Sequence, residues 1–384
     1  MGIFSVNVIG MVMIEKAYFY PPAYGFGGLG DRIMWAANFI LVDGKFRAMF
    51  SVLFGASMVL VIERAEASGR GGWNVHWPRM VVLLLFGLAH FYLLWWGDIL
   101  ANYALIGLFA FVFWRFDAIV LLFIAVLVFA GYYGPTAYER LAAMPKAEVT
   151  APAQTGAWDP YHVTPEEIAR DAAAHASIPA HVRATLGDPN TALRPIGSLF
   201  SYGFETLAFM LLGMAGYKSG FLTGAWSRRA YAGIALVLIS ASLGLFGFAA
   251  GTILRADFDP LVYAPWDQIY VAPMHPLSAI GYMALIMLIF HRRGALADRF
   301  AAVGRAAFSN YLGATLVGTL LFFGTFGGLY GTLSRGQAWL IVPPVWALML
   351  LWSKWWLDRF RYGPFEWAWR SLARWEWQPM RKTG

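Results

Sequence analysis

A histidine and an aspartate lie eight residues apart at the turn between two long apolar runs, His90 near the middle of the first and Asp98 at the Gly97-Asp98 bend that separates it from the second. Apolar helices exclude ionisable groups unless those groups pair or work, so an imidazole and a carboxylate there are candidates for acid–base chemistry. Another carboxylate, Glu205, falls nine residues into a run that begins near Ile196. At 1.5 Å per residue, His90 lies ~12 Å deeper than Asp98, and Glu205 comes to a similar depth. A carboxylate beside a buried imidazole orients the ring and raises its basicity, as a general base requires. His90 with Glu205 is therefore the expected catalytic pair, with Asp98 near an external acceptor. The simpler alternatives are that each group satisfies a neighbouring helix, and that Asp98 caps the following helix through the amides of Leu100 or Ala101.

Other polar residues in apolar surroundings suggest binding. Asp43, Lys45 and Arg47 stand within five residues at a helix mouth, a cluster suited to a carboxylate, phosphate or lipid headgroup, or else to ordinary interfacial charge with snorkelling stems. Asn7, inside the first apolar run, and His275, between Pro273-Met274 and Pro276 near the outer surface, complete the candidate substrate contacts. Arg305 followed by Ser309 and Asn310, with Arg292, Arg293 and Arg299 nearby, forms a basic, hydrogen-bonding mouth for a CoA or nucleotide pyrophosphate. Helix packing through small and polar residues, plus a basic loop bias, accounts for the same pattern without a ligand.

These residues must be positioned by membrane helices. Hydrophobic residues are 59% of the chain and charged residues 13%, about half the usual charged fraction of a soluble domain. The expected fold is all-α, a polytopic membrane protein with about ten transmembrane helices in one bundle. The spans are read near 2–20, 48–62, 77–96, 98–116, 118–133, 196–217, 231–252, 272–290, 306–325 and 337–356, with a short interfacial piece at 33–42. The first is expected to begin upstream of Met1. Residues 135–195 form one polar insert, in which Thr164-Pro165-Glu166-Glu167 has the form of a capped helix start. The segment 360–384 mixes Trp and Phe with Arg and is expected at the membrane surface. Arginines and lysines gather in one set of loops, among them Arg64, Arg79, Arg115, Lys218, Arg228 and Arg305, which predicts cytoplasmic termini and an external insert.

The net charge of +7 is explained by those loops and does not call for nucleic acid. With no cysteine, disulfides, thiolate metal sites and a cysteine nucleophile are excluded, and the scattered histidines have no metal-ligand spacing. GxxxxGK[ST], HExxH and GxSxG are all missing, so ATPase, zinc-protease and serine-hydrolase chemistry has no motif support.

In chain order, GIFSVNV, GKFRAMFSVLFG, LLLFGLAHFYLLWWGDILANYALIGL, AAVGRAAFSNYLGATLVGTLLF and RFRYGPFEWAWRSL resemble the YeiB family of bacterial inner-membrane proteins over nearly the whole length. That family is distantly similar to membrane acyltransferases of the heparan-glucosaminide type, which pass an acetyl group from cytosolic acetyl-CoA to a sugar across the membrane. Their essential histidine lies in the external loop after the first helix; this chain has none between Tyr20 and Val42, so that role is not carried over. The resemblance implies a multi-pass protein of the bacterial cell inner membrane. The expected function is transfer of an acyl group from a cytosolic acyl-CoA to an external or membrane acceptor, a small molecule, lipid or sugar, within a shell of membrane lipids and with homodimerisation left open. The alternative is a transporter or flippase using the same polar path.

Overall fold

The computed structural model describes residues 1–143, 159–290 and 294–382; Arg292 and Arg293 lie outside them. The chain is helical, with no strand among the described residues and one isolated bridge between Phe360 and Arg381. In order the helices are α1 (Gly2–Val12), α2 (Glu15–Phe19), α3 (Leu29–Leu41), α4 (Lys45–Ala67), α5 (Gly72–Leu93), α6 (Leu100–Ala110), α7 (Ala118–Ala143), α8 (Pro165–Ala174), α9 (Ile178–Gly187) and α10 (Pro189–Ala192). They continue as α11 (Arg194–Ser198), α12 (Phe204–Lys218), α13 (Arg228–Arg255), α14 (Pro260–Pro265), α15 (Met274–Ile289), α16 (Ala295–Arg305), α17 (Ala307–Phe322), α18 (Arg335–Trp339), α19 (Val342–Arg359) and α20 (Pro364–Arg374).

Among the described residues, six helices are long and apolar enough to cross a membrane, and the pair 260–270 with Met274–Ile289, bent by 57°, makes a seventh if taken as one span. Three more of the expected spans are shorter apolar helices, Gly2–Val12, Leu100–Phe113 and Ala307–Phe322. At 1.5 Å per residue these reach only ~16–24 Å, less than a hydrocarbon core of ~30 Å. The first run does not stay helical to Tyr20: it breaks after Val12, and a separate short helix follows at Glu15. The expected interfacial piece is α3, which runs on toward α4 through a turn at Gly44. That glycine has φ of +67° and sits where a Cβ would lie 2.3 Å from the His275 ring, so only glycine fits.

α7 continues through Pro135, so the polar insert departs later than its composition indicates. Its capped start is present: the Thr164 hydroxyl accepts from the Glu167 amide at 3.2 Å, and the Glu167 carboxylate accepts from the Thr164 amide at 3.1 Å. Lys16 and Glu15 of α2 tie this region down by ion pairs to Glu167 at 2.8 Å and Arg194 at 2.7 Å. The C-terminal amphipathic stretch does more than coat a surface, because α20 inserts Glu366 into the start of α17 and its Trp369 indole donates to the Arg79 carbonyl of α5 at 2.7 Å.

Two helix pairs set the interior. α4 packs along α12 in a core of Met58, Val59, Ile62, Met210, Leu211 and Met214. α5 doubles back on α6, and their backbones touch at Gly87, where a Cβ would stand 2.3 Å from the Ala101 nitrogen.

Candidate functional site

The α5–α6 hairpin builds the first polar group. Both ring nitrogens of His90 are engaged: Nδ1 lies 2.8 Å from Asp98 Oδ1, and Nε2 lies 3.0 Å from the Thr315 hydroxyl of α17. Asp98 Oδ2 accepts from the Ala101 amide at 2.8 Å, so the carboxylate caps α6 while holding the imidazole. With Asp98 ionised, Nδ1 carries the proton, and Nε2 is left as the acceptor for a hydroxyl. The His90 and Asp98 side chains are each only 1% exposed. Tyr311, one turn before Thr315, packs its ring 5.2 Å from His90 and brings its hydroxyl to 3.4 Å from the Ile99 amide. The result is an orienting carboxylate, a base and a hydroxyl in series, the order that activates an oxygen nucleophile.

Glu205 is not part of it. Its carboxylate pairs with Arg47 at 2.7 Å, so the expected His90–Glu205 couple is replaced by His90–Asp98 and Arg47–Glu205. The ~12 Å offset between His90 and Asp98 also fails, because α5 stops at Leu93 and the chain turns back, bringing Asp98 to the ring; nor does sequence give the direction a side chain points round the bundle. α12 places Glu205 toward α4, whereas His90 faces its own hairpin and α17. Arg47 keeps 35% of its side-chain surface accessible while Glu205 keeps 10%, and one carboxylate does not use all five N–H groups of a guanidinium. Close by, Ser51 and Tyr103 share a hydrogen bond of 2.6 Å.

The remaining candidates separate. Asp43 accepts from the Gly44 amide at 2.9 Å, and Lys45 is fully buried, donating to the Phe39 carbonyl at 2.9 Å with Nζ 3.1 Å above the Phe246 ring. His275 stacks on that same ring, centroids 5.6 Å apart. Asp43, Lys45 and Arg47 therefore do not converge on one anion. Asn7 is half-buried on α1. A small cavity of about 20 Å³ lies among Ser5, Tyr18, Asn38, Asp43, Tyr263 and Arg335. That is room for a single water-sized group and not for an acceptor sugar.

The expected donor mouth is also taken up by the chain itself. Ser309 bonds the Glu366 carboxylate, which in addition accepts the Phe308 and Ser309 amides at 2.8 and 3.1 Å. Asn310 is held by Trp352 at 2.9 Å, Ser353 at 3.1 Å and the Val303 carbonyl at 3.1 Å. Of the three, only Arg305 is exposed. Among the described residues, no group of three or more His, Asp or Glu side chains is arranged to hold a metal ion. Sequence reasoning missed Thr315 and read Tyr311 with Ser309 and Asn310 at the donor mouth instead of beside His90; the available signal was a polar series on one face of an apolar helix, Tyr311, Thr315 and Thr319, spaced by four.

The insert latches onto the ends of the helices that carry this group. The His175 carbonyl accepts from the Gly324 amide at 3.0 Å, Thr325 donates to the Ala176 carbonyl at 2.9 Å, and Tyr92 of α5 donates to the Ala192 carbonyl at 2.7 Å. His175 stacks on Tyr330 at 3.8 Å, and Tyr330 donates to Asp171. Burial pushes His175 and His181 down to about 4 from an ordinary 6.5, and lifts Asp171 to about 6. An opened latch takes up two imidazole protons that the closed one excludes, so closure is strongest above about pH 6.5 and weakens toward pH 4. Asp171 opposes this, being easier to protonate when closed, but two imidazoles outweigh one carboxyl. Amide exchange across 165–187, corrected for its intrinsic pH dependence, is expected to rise between pH 7 and pH 4.5 while α4 and α12 stay protected. Equal protection at both pH values would remove the coupling.

Residues 216–376 match a family described as a protein of unknown function (DUF418). The uncharacterised protein YeiB of Escherichia coli (strain K12) is 30% identical over 97% of this chain and 93% of its own length. The uncharacterised protein YxaH of Bacillus subtilis (strain 168) is 29% identical over 98% and 94%. An uncharacterised 39.9 kDa protein in the amylase 3' region of Bacillus acidopullulyticus is 22% identical over 97% and 90%. No solved structure matches.

Proposed function

We propose that this chain, which belongs to the YeiB family of bacterial membrane proteins, is an acyl-transfer enzyme of the inner membrane whose general base is His90. The observation that carries this is the Asp98–His90–Thr315 series, closed at 2.8 and 3.0 Å in the interior of an apolar bundle. In the proposed reaction an acceptor hydroxyl takes the position of the Thr315 hydroxyl at Nε2. His90 removes its proton as the oxygen attacks the carbonyl of an acyl thioester such as acyl-CoA; the C–S bond breaks, and the proton leaves with the thiolate. Asp98 keeps the tautomer and stabilises the imidazolium formed on the way.

Neither the 20 Å³ cavity nor the α16–α19 surface groove includes His90. Turnover on this reading requires α5 and α17 to part, which exposes Nε2 only when substrate is present. Arg47, paired yet accessible, would anchor an anionic group on the acceptor. The deciding experiment incubates the purified protein with a panel of acyl-CoAs and candidate acceptors and assays free thiol and acylated product by mass spectrometry. Thiol release that depends on His90 supports the reading, and a panel without binding or release defeats it.

A transporter or flippase is the second reading, favoured by the same Arg47–Glu205 ion pair within the bundle. It predicts solute or lipid movement in proteoliposomes that Glu205→Gln impairs and His90→Gln does not.

A further inference from the structure

At the end of the bundle where α16 meets α19, a groove of about 510 Å³ is lined by Arg299, Leu348, Leu351, Lys354, Trp355 and Arg359, among others. Nothing in the proposed reaction uses it. Along one face of α19 the order is Leu348, Leu351, Trp355 and then Arg359, at helical spacing; the first three are 51%, 60% and 54% exposed. On α16, Leu296 and Phe300 are exposed on either side of Arg299. This is the profile of a hydrocarbon-facing strip that ends at the headgroup level, with an interfacial helix lying across it.

The charges at that level do not cancel. Asp358, the acid in the groove, is bound through both oxygens by Lys354 at 2.9 Å, so against three cations the groove keeps a net positive charge of two, and among the described residues Arg299 and Arg359 are left without a direct ion pair. Each uses one N–H on backbone: Arg299 donates to the Leu350 carbonyl at 3.3 Å, and Arg359 to the Trp355 carbonyl at 2.8 Å. Arg359 also lies 4.6 Å over the Trp355 ring, which fixes its plane. A guanidinium has five donors, so both keep N–H groups for a ligand, and their planar forks match a phosphodiester.

We propose that this groove is a binding site for one anionic diacyl phospholipid, its phosphate between Arg299 and Arg359 and its acyl chains along Leu348 and Leu351. The occupant is a lipid and not a soluble phosphate because the apolar strip is continuous with the cations and opens along the side of a spanning helix. Net charge selects it, since a zwitterionic choline lipid brings its own cation to a site that already has two.

The test takes the full-length protein, purified and delipidated in detergent, and titrates it separately with dioctanoyl phosphatidylglycerol, dioctanoyl phosphatidylcholine and coenzyme A. Binding is read by thermal melting and native mass spectrometry. Phosphatidylglycerol should bind one to one and raise the melting temperature. Arg299→Gln with Arg359→Gln should weaken it ~25-fold, about fivefold for each cation removed, while leaving the weaker phosphatidylcholine binding unchanged. Should the double variant fold poorly, Arg359→Gln alone, at the exposed end of α19, should show the fivefold loss. Equal affinity for the two lipids, protection by coenzyme A matching that of phosphatidylglycerol, or an unchanged affinity in the variants would each overturn the site.

Discussion

Replacing His90 with glutamine is expected to lower turnover by ~10²–10⁴-fold while the folded yield stays near wild type, because a positioned base contributes about that much and an amide cannot accept the proton. The local hydrogen bonding supports the second half of this statement. A glutamine side chain can donate to Asp98, and Asp98 keeps its bond from the Ala101 amide in any case. His90→Leu is the contrasting variant. It strands the buried Asp98 Oδ1 and the Thr315 hydroxyl, and is expected to cost about 1–3 kcal/mol of stability as well as the activity. Thiol release from acyl-CoA and melting in detergent read the two effects separately. A fully active His90→Gln enzyme would exclude His90 as the base, and the carboxylate at the bend would then be the remaining group.

Gly87→Val is expected to be at least as damaging, through geometry alone. A Cβ at position 87 would stand 2.3 Å from the nitrogen of Ala101, which is backbone and cannot rotate away. The hairpin must open by more than an ångström, and overpacking of this kind costs about 3 kcal/mol, the upper end for core enlargement. The Ala101 amide is also the group that holds Asp98 Oδ2, so displacing α6 pulls the carboxylate from His90. Activity should therefore fall further than the melting temperature accounts for. Gly131→Ala is the control, since a Cβ there meets nothing within 4 Å; on α7 it should be neutral or slightly stabilising. If Gly87→Ala melted like Gly131→Ala, the close approach of α5 and α6 would be wrong.

What could be read directly from the sequence is what depends on short range. Hydrocarbon leaves a backbone no partner but itself, so long apolar runs at 1.5 Å per residue dictate helices. The Thr164 cap and the Asp98 cap involve residues three apart and were legible for the same reason. His90 and Asp98 were legible as ionisable residues of one hairpin but not as a pair, because the first helix was read on to the bend and in fact stops at Leu93.

Pairings between separate helices were settled only by the tertiary structure. Glu205 turned to Arg47, Ser309 to Glu366 of a helix that follows it by more than fifty residues, and Thr315 to His90 across the bundle. Period says which residues share a helix face, and depth can be counted only once the helix end is known, as Leu93 shows for α5. Which neighbour a side chain meets depends on where each helix is rotated and docked, and that is decided by close backbone contacts such as Gly87 on Ala101 and by the packing of α4 on α12. The protein's sequence alone thus determined a membrane bundle with an ionisable hairpin at its centre, while the partner of each ionisable group was decided by packing between segments far apart in the chain, whose mutual orientation no local pattern encodes.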